Sequence, residues 1–458
     1  WSDDTPVTAD DIVYTYEHVG DPAMGNQWIP FLFSIKGLAD WATGKGPASA
    51  IGVKKVDDRT VTYEGQNGFV PYLPQLLAYQ AAAFSPKHVV EKDPEHWADT
   101  AEGAISNGPY LCSKWDHGKS IEYVINPKYN GPFKPYLQVL RSSLVPAGGT
   151  APNAFNQFLA QEIDLWHLID APSLAAARAD PKLNPLVHFF PNFQSTYLNI
   201  NVAMPPLDNH DFRQALAHAI DRDTLTQQVF GGTETTGYEM LPPGFPGYTD
   251  ENKDAQIYDL DKAKASLAAS GIDPKTVKLK LYSQNATRDK WMSFIQQQWR
   301  DNLGVDSEII ENQPTWGADR PAHTMQVDLG TYEYDFIDPS NLLSGLFHSI
   351  PAPEGKSEPW GSPRHAWKSD AFDALLDSAD SETDVDKRIK MYQDAQKLLI
   401  DDVGVIFLAH QIVFQIWWPW LTGFLPNKQG NTIYNWLGDS MFHGYIRADV
   451  DELKAQYR

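Results

Sequence analysis

The chain has 458 residues with 37 basic and 59 acidic side chains, a formal charge of −22, and 42% apolar residues including 15 tryptophans. That acidity gives no electrostatic reason to hold a phosphate backbone, so nucleic acid is not an expected partner. A single cysteine, Cys112, allows neither an internal disulfide nor a cysteine zinc cluster, and the length suits two or three units with real cores.

The opening, WSDDTPVTADDIVYTYE, has no initiator methionine, basic stretch or apolar leader, and passes at once into a helix start with Thr8 or Asp10 as cap. It reads as a cut or unobserved beginning. The run IGVKKVDDRTVTYEG predicts two strands joined at Asp57-Asp58, and Ser85-Pro86 predicts a helix start with Ser85 as cap. Asn107-Gly108-Pro109-Tyr110 predicts a turn launching a strand, and SIEYVINP a second strand. NAFNQFLAQEIDLWHLI begins as an amphipathic helix and passes into a strand.

STYLNINV, residues 195–202, alternates as a strand, and 210–220 carries Phe212, Ala215, Leu216, Ala219 and Ile220 on one helical face. Asp221 caps a further short helix that Gly231-Gly232 ends, and Asp259 caps another that stops at Gly271. KLKLYSQ reads as a strand, DKWMSFIQQQWRDNLG as a long helix ending at Gly304, and DAFDALLDSA and DVDKRIKMYQDAQKLLIDD as two more helices. The apolar run VGVIFLAHQIVFQIWWPW, 403–420, is interrupted by His410, Gln411, Gln415 and Pro419. Its β-branched content suits one or two buried strands and not a membrane span. Helices and strands alternate, so the class is α/β.

Catalytic motifs are missing. There is no Gly-x-Ser-x-Gly elbow, and Gly118-Lys119-Ser120 and Gly355-Lys356-Ser357 both lack the earlier glycine of a phosphate loop. The acids Asp380, Glu382, Asp384 and Asp386 lack the central glycine of a calcium loop and read as a solvated helix start. No cofactor or metal is expected. Aromatic clusters are the stronger signal: Trp417-Trp418-Pro419-Trp420 is either core or a ligand-stacking wall, and in TYEYDFIDPSN carboxylates stand among aromatic rings.

Several blocks together resemble the family 5 extracellular solute-binding proteins of ABC transporters, which include dipeptide-, oligopeptide-, nickel- and oligosaccharide-binding members. The blocks are the opening segment, VKKVDDRTVTYE, SNGPYLCSKWDHGKSIEYVINPKYNGP, YLNINVAMPPLDNHDFRQALAHAIDRDTLTQQVFGG, LPPGFPGY, YDLDKAKASLAASG and YEYDFIDPSNLL, in the family's order. Asp4, where a glycine is usual, and Cys112 depart from the pattern.

The resemblance implies a two-lobed periplasmic-binding-protein-like fold (type II, cluster C) with the first part of lobe one apparently missing. Lobe one would be 1–194 with a subdomain at about 20–110, lobe two 195–411, and 412–458 the return to lobe one. It implies a non-enzymatic extracytoplasmic receptor, periplasmic or lipid-anchored, that closes over a short oligopeptide or oligosaccharide and delivers it to ABC permease subunits. The protein would be a monomer, with the membrane reached only through a missing N-terminal anchor. Asp335 falls where peptide-binding members hold the ligand's amino terminus, and Tyr332 where they carry a pocket aromatic. The candidate ligand-binding residues are Trp28, Asn107, Tyr332, Tyr334, Asp335, His410, Trp417 and Trp418. Alternatives are a secreted glycoside hydrolase with an aromatic cleft, or a chelate-binding or chemosensory member of the fold with His410 as its ligand.

Overall fold

The computed structural model describes residues 1–458 apart from 27, 67, 69, 133, 145–153, 168–169, 285, 312–313, 351–360, 363, 424–443 and 458. The chain divides into two compact units, one of Trp1–Phe190 with Phe414–Arg458 and one of Pro191–Val413.

The first unit opens with a helix, Ala9–Val19, started by a reciprocal cap: Thr8 accepts from the helix backbone and the Asp11 side chain accepts from Thr8 N at 2.8 Å. Two of the four orphan donors of the first turn are satisfied in this way. Strands β1 (Val53–Asp57) and β2 (Thr60–Tyr63) form the expected hairpin, its turn braced by Arg59 N donating to Asp57 Oδ1 at 2.8 Å. The helix near Ser85 is Lys87–Val90, so the cap position falls to Pro86, which has no side chain to cap with, and not to Ser85; Lys87 N donates instead to Asp11 Oδ1 at 3.0 Å. Strands β3 (Tyr110–Asp116), β4 (Ser120–Ile125) and β5 (Val139–Ser143) make an antiparallel sheet, with a bulge after Cys112. β6 (Leu165–His167) follows a short helix, Ala154–Leu159.

β7 (Val187–Ile200) carries the chain into the second unit. There β8 (Glu234–Thr236), β9 (Lys278–Tyr282), β10 (Asp306–Ile310) and β11 (Val327–Glu333) join it, and β12 (Val405–Trp417) leads back. The order is β10-β9-β11-β7-β12, with β8 against β12. β9 runs parallel to β10 and β11, whereas β11 is antiparallel to β7. The run 403–420 thus holds one long strand. Past the unit boundary its residues Gln415–Trp417 pair with β6, and β13 (Leu421–Thr422) pairs with β14 (Tyr445–Ile446).

Three helices pack against this sheet in one core. Asn209 caps His210–His218 and Asp259 caps Leu260–Ser270, which Gly271 ends in a left-handed turn at φ 67°. The long helix Ala286–Leu303 lays Met292, Ile295 and Trp299 into the same core. Leu198 and Ile200 of β7, Val327 and Leu329 of β11, and Ile406 and Leu408 of β12 meet them, all fully buried. The Trp299 indole donates to Leu216 O at 3.0 Å, so its one polar atom is satisfied inside the core. The short helix after Asp221 (Arg222–Thr224) runs on into a π-turn, Leu225–Val229, and stops just before Gly231 and Gly232, the glycine pair expected to end it, which stand at φ 66° and 74°. Among the described residues, no helix is long and apolar enough to cross a membrane.

Candidate functional site

Period-two geometry sends alternate residues of a strand to opposite faces. In the β7–β11 pair, Ser195 lies opposite Tyr332, Tyr197 opposite Gly330, and Asn199 opposite Asp328. These six residues therefore share the face turned away from the apolar core. Gly330 is needed there: a Cβ would fall 2.6 Å from the Tyr197 ring and 3.1 Å from Arg320 Nη2.

At one end of this polar face β11 turns into the segment holding Asp335. The Tyr332 hydroxyl donates to Asp335 Oδ2 at 2.6 Å and Asn341 Nδ2 donates to the same oxygen at 3.1 Å, while Asp335 N donates to Asn341 Oδ1 at 2.8 Å. The carboxylate is thus held from two sides and remains half-buried. Burial pushes the Tyr332 hydroxyl pKa up, and the neighbouring Asp335 pushes it further. The Arg364 guanidinium lies over the Tyr332 ring, 5.1 Å from its centre. Tyr334 packs edge-on against Phe193 and Phe245. Burial also raises the Glu333 carboxyl, against a hydrogen bond from Asn192 that lowers it, with the Asp335 charge adding to the rise. Asp338 is more than a turn cap: besides accepting from Ser340 N, its two oxygens take both terminal nitrogens of Arg388 at 2.6 Å.

His410 is 3% exposed, with Nδ1 3.0 Å from Ser195 Oγ, and that hydroxyl also donates to Met240 O at 2.7 Å. Burial holds its pKa down to about 3, so the ring is neutral, a hydrogen-bonded core histidine beside Gly237. Tyr332, Tyr334, Asp335 and His410 therefore all lie in the second unit, the first three contiguous and the fourth joined to Ser195.

The other four lie in the first unit. Trp28 is 53% exposed and stacks on Phe31 at 6.0 Å; Asn107 is exposed, just ahead of a bend at Gly108-Pro109 that leads into β3. Trp417 is half-buried against the His188 ring, 3.5 Å away and nearly parallel. Trp418 corrects the expectation of a ligand face: it is 1% exposed, stacked on Phe158 at 4.3 Å and Trp420 at 4.9 Å. A strand that turns Trp417 to one side sends Trp418 to the other, here into the core. The acids around 380–386 also have local roles, Asp384 capping Val385–Asp401 and Asp380 accepting from the Tyr392 hydroxyl at 2.6 Å.

Sequence reasoning missed Asn341, Arg364 and the Arg320–Asp328 pair, whose Nη2 and Oδ2 stand 3.3 Å apart. A signal existed for part of this. Tyr197, Asn199 and Asn201 alternate with Leu198, Ile200 and Val202 in STYLNINV, a pattern that places polar groups on one face of a strand.

Comparison with known proteins agrees with this architecture. Residues 1–353 match the model described as Bacterial extracellular solute-binding proteins, family 5 Middle. The chain is 28% identical over 420 residues to the oligopeptide-binding protein OppA of Bacillus subtilis, covering 88% of this chain and 74% of that protein. It is 26% identical over 448 residues to the probable deoxycholate-binding periplasmic protein YgiS of Escherichia coli, covering 95% and 79%. In fold it is similar to the Escherichia coli murein tripeptide binding protein MppA, with a TM-score of 0.75 at 24% identity over 97% of this chain and 85% of that one. With the predicted blocks, the two-unit α/β fold and a family match over most of its length, the chain belongs to the family 5 bacterial extracellular solute-binding proteins.

Proposed function

We propose that this protein is a non-catalytic receptor outside the cytoplasmic membrane that captures short peptides and hands them to the permease of an ABC importer. It would act as a monomer. The observation that carries the choice of peptide is the Asp335 carboxylate, held by Tyr332 and Asn341 at the end of the polar face. An oriented carboxylate is the natural partner of a terminal ammonium, through charge-assisted hydrogen bonds. The relatives support the same choice, since OppA of Bacillus subtilis is named for oligopeptides and MppA for a murein tripeptide. Sugar binding and glycoside hydrolysis have no comparable support.

Thermal-shift screening followed by calorimetry tests this reading against peptides, oligosaccharides and bile acids, the last because one relative is named for deoxycholate. Peptides are expected to stabilise the protein, and N-terminal acetylation or Asp335→Asn to weaken binding roughly 10- to 100-fold, the worth of one charge-assisted bond. Stabilisation by oligosaccharides alone, or release of reducing ends from them, overturns it.

A further inference from the structure

Arg364 is a half-buried cation with a fixed backbone and an unanswered charge. Its N–H donates to Ser362 Oγ at 3.1 Å, and its carbonyl accepts from Asn199 Nδ2 at 2.8 Å. The next residue continues the anchor: His365 N donates to the same Ser362 oxygen at 3.1 Å, and His365 Nδ1 lies 2.8 Å from Asn199 Oδ1. The Arg364 guanidinium stands 5.1 Å from the centre of the Tyr332 ring. That contact uses its charge and none of its N–H donors.

Among the described residues the Arg364 side chain forms no ion pair and no hydrogen bond, and its nitrogens are not sealed from solvent. The neighbouring Arg320 differs on both counts, since Asp328 answers its charge at 3.3 Å and two of its nitrogens are closed off. In a chain with 59 acidic and 37 basic side chains, an arginine held in place without an acid is an exception. The same Tyr332 ring carries the hydroxyl that donates to Asp335 Oδ2 at 2.6 Å, so one phenol separates a positioned guanidinium from a positioned carboxylate. Across that phenol the two charges stand no more than about 11 Å apart, the span of three residues of extended chain.

We infer that Arg364 is a specificity-determining residue of the peptide site, its guanidinium taking a carboxylate within the first three residues of the solute while Asp335 holds the solute's ammonium. The inference rests on the peptide reading above. A guanidinium matches a carboxylate with two parallel N–H donors and a full opposite charge, which an amide or hydroxyl does not supply. The carboxylate is a Glu or Asp side chain or, in a tripeptide or dipeptide, the chain's own terminus.

Calorimetry on the intact chain distinguishes these sources. Hexapeptides with amidated C-termini carry Glu or Gln at each position in turn, and tripeptides are compared with free and amidated C-termini. For a side-chain source, Glu binds roughly tenfold more tightly than Gln at one of the first three positions, the worth of a hydrogen bond between charged groups. For a terminal source, amidating the tripeptide costs a similar factor while Glu and Gln rank equal in the hexapeptides. Either ratio should fall to one or below in Arg364→Gln. If Arg364 only braces Tyr332, this variant weakens acidic and neutral peptides alike and keeps their ratio, which overturns the inference. A Glu preference confined to the fourth to sixth positions, out of reach of Arg364, overturns it as well. If melting shows that Arg364→Gln does not fold, the wild-type series decides alone. Less than twofold difference between Glu and Gln, and between free and amidated ends, overturns the inference while leaving the receptor reading intact. If no peptide binds, the receptor reading falls first and takes this one with it.

Discussion

Along β11 side chains leave in opposite directions for different ends. Val327 and Leu329 join a core completed by Trp299, Met292 and Leu216, whereas Asp328 and Tyr332 enter a network of hydrogen bonds and charges. The backbone ladder is common to both faces, so the difference lies in what each asks of its neighbours. The apolar face needs only volume and shape, and it is filled by helices that could exchange one hydrophobe for another at modest cost. The polar face needs each donor and acceptor matched in place, and a lost partner there leaves a charged or polar atom stranded. Stability is concentrated on the first face, and the proposed recognition falls to the second.

Substitutions can break this comparison, beginning with the largest expected effect. Trp299→Ala should cost about 3–5 kcal/mol in denaturant unfolding while leaving the affinity of the folded protein for its solute unchanged. Arg388→Met strands the buried Asp338 carboxylate and should cost a similar amount, about 3–5 kcal/mol. The companion Arg388→Met/Asp338→Leu variant should recover most of it; a double variant as unstable as the single one would mean the pair matters for packing and not charge.

A smaller effect depends on pH. Glu234 lies buried with Thr196 Oγ1 donating to it at 3.2 Å, and burial pushes its carboxyl from 4.5 up to about 7. Its folded-state pKa is raised, so the folded protein favours the protonated acid. Stability is unaffected below pH 4.5, falls as pH rises toward 7, and stays reduced above that. Melting curves should show Glu234→Gln more stable than the wild type at pH 8 and equal to it at pH 4. His410 runs the other way. Held down to about 3 from 6.5, it costs stability as pH falls from 6.5 toward 3. Smallest is Tyr332→Phe, about 1 kcal/mol in stability, but it releases Asp335 from one of its two side-chain anchors and should weaken solute binding measurably. Unchanged binding would mean that Asn341 alone orients the carboxylate.

Much of this was legible in the sequence, and the reasons are physical. Local rules placed the helices: the caps at Thr8, Asp221 and Asp259 stand where predicted, because a cap is a contact over two or three residues. The aromatic and acid spacing in TYEYDFIDPSN drew attention to Asp335 for the same reason, since Tyr332 and Asn341 reach it from three and six residues away. Arg364 and Arg320 were not legible. Arg364 comes from a segment after the helices at 339–347, and nothing in the local pattern brings it over Tyr332. Trp418 was ambiguous because alternation fixes that it opposes Trp417 but not which of the two points inward. Phe158 and Trp420 settle that through packing.

β12 has one more consequence. Its thirteen residues are a single ruler read by two units, since Ala409–Gln411 pair with β8 in one and Gln415–Trp417 with β6 in the other. An inserted or deleted residue between those stretches, at 412–414, puts one reading out of phase with the other. Such a change has to be taken up as a bulge that bends the strand between them, or else one pairing shifts by one and its side chains change face. Loops in this chain can change length without such a penalty, so its tolerance to insertion should have a sharp minimum three residues wide.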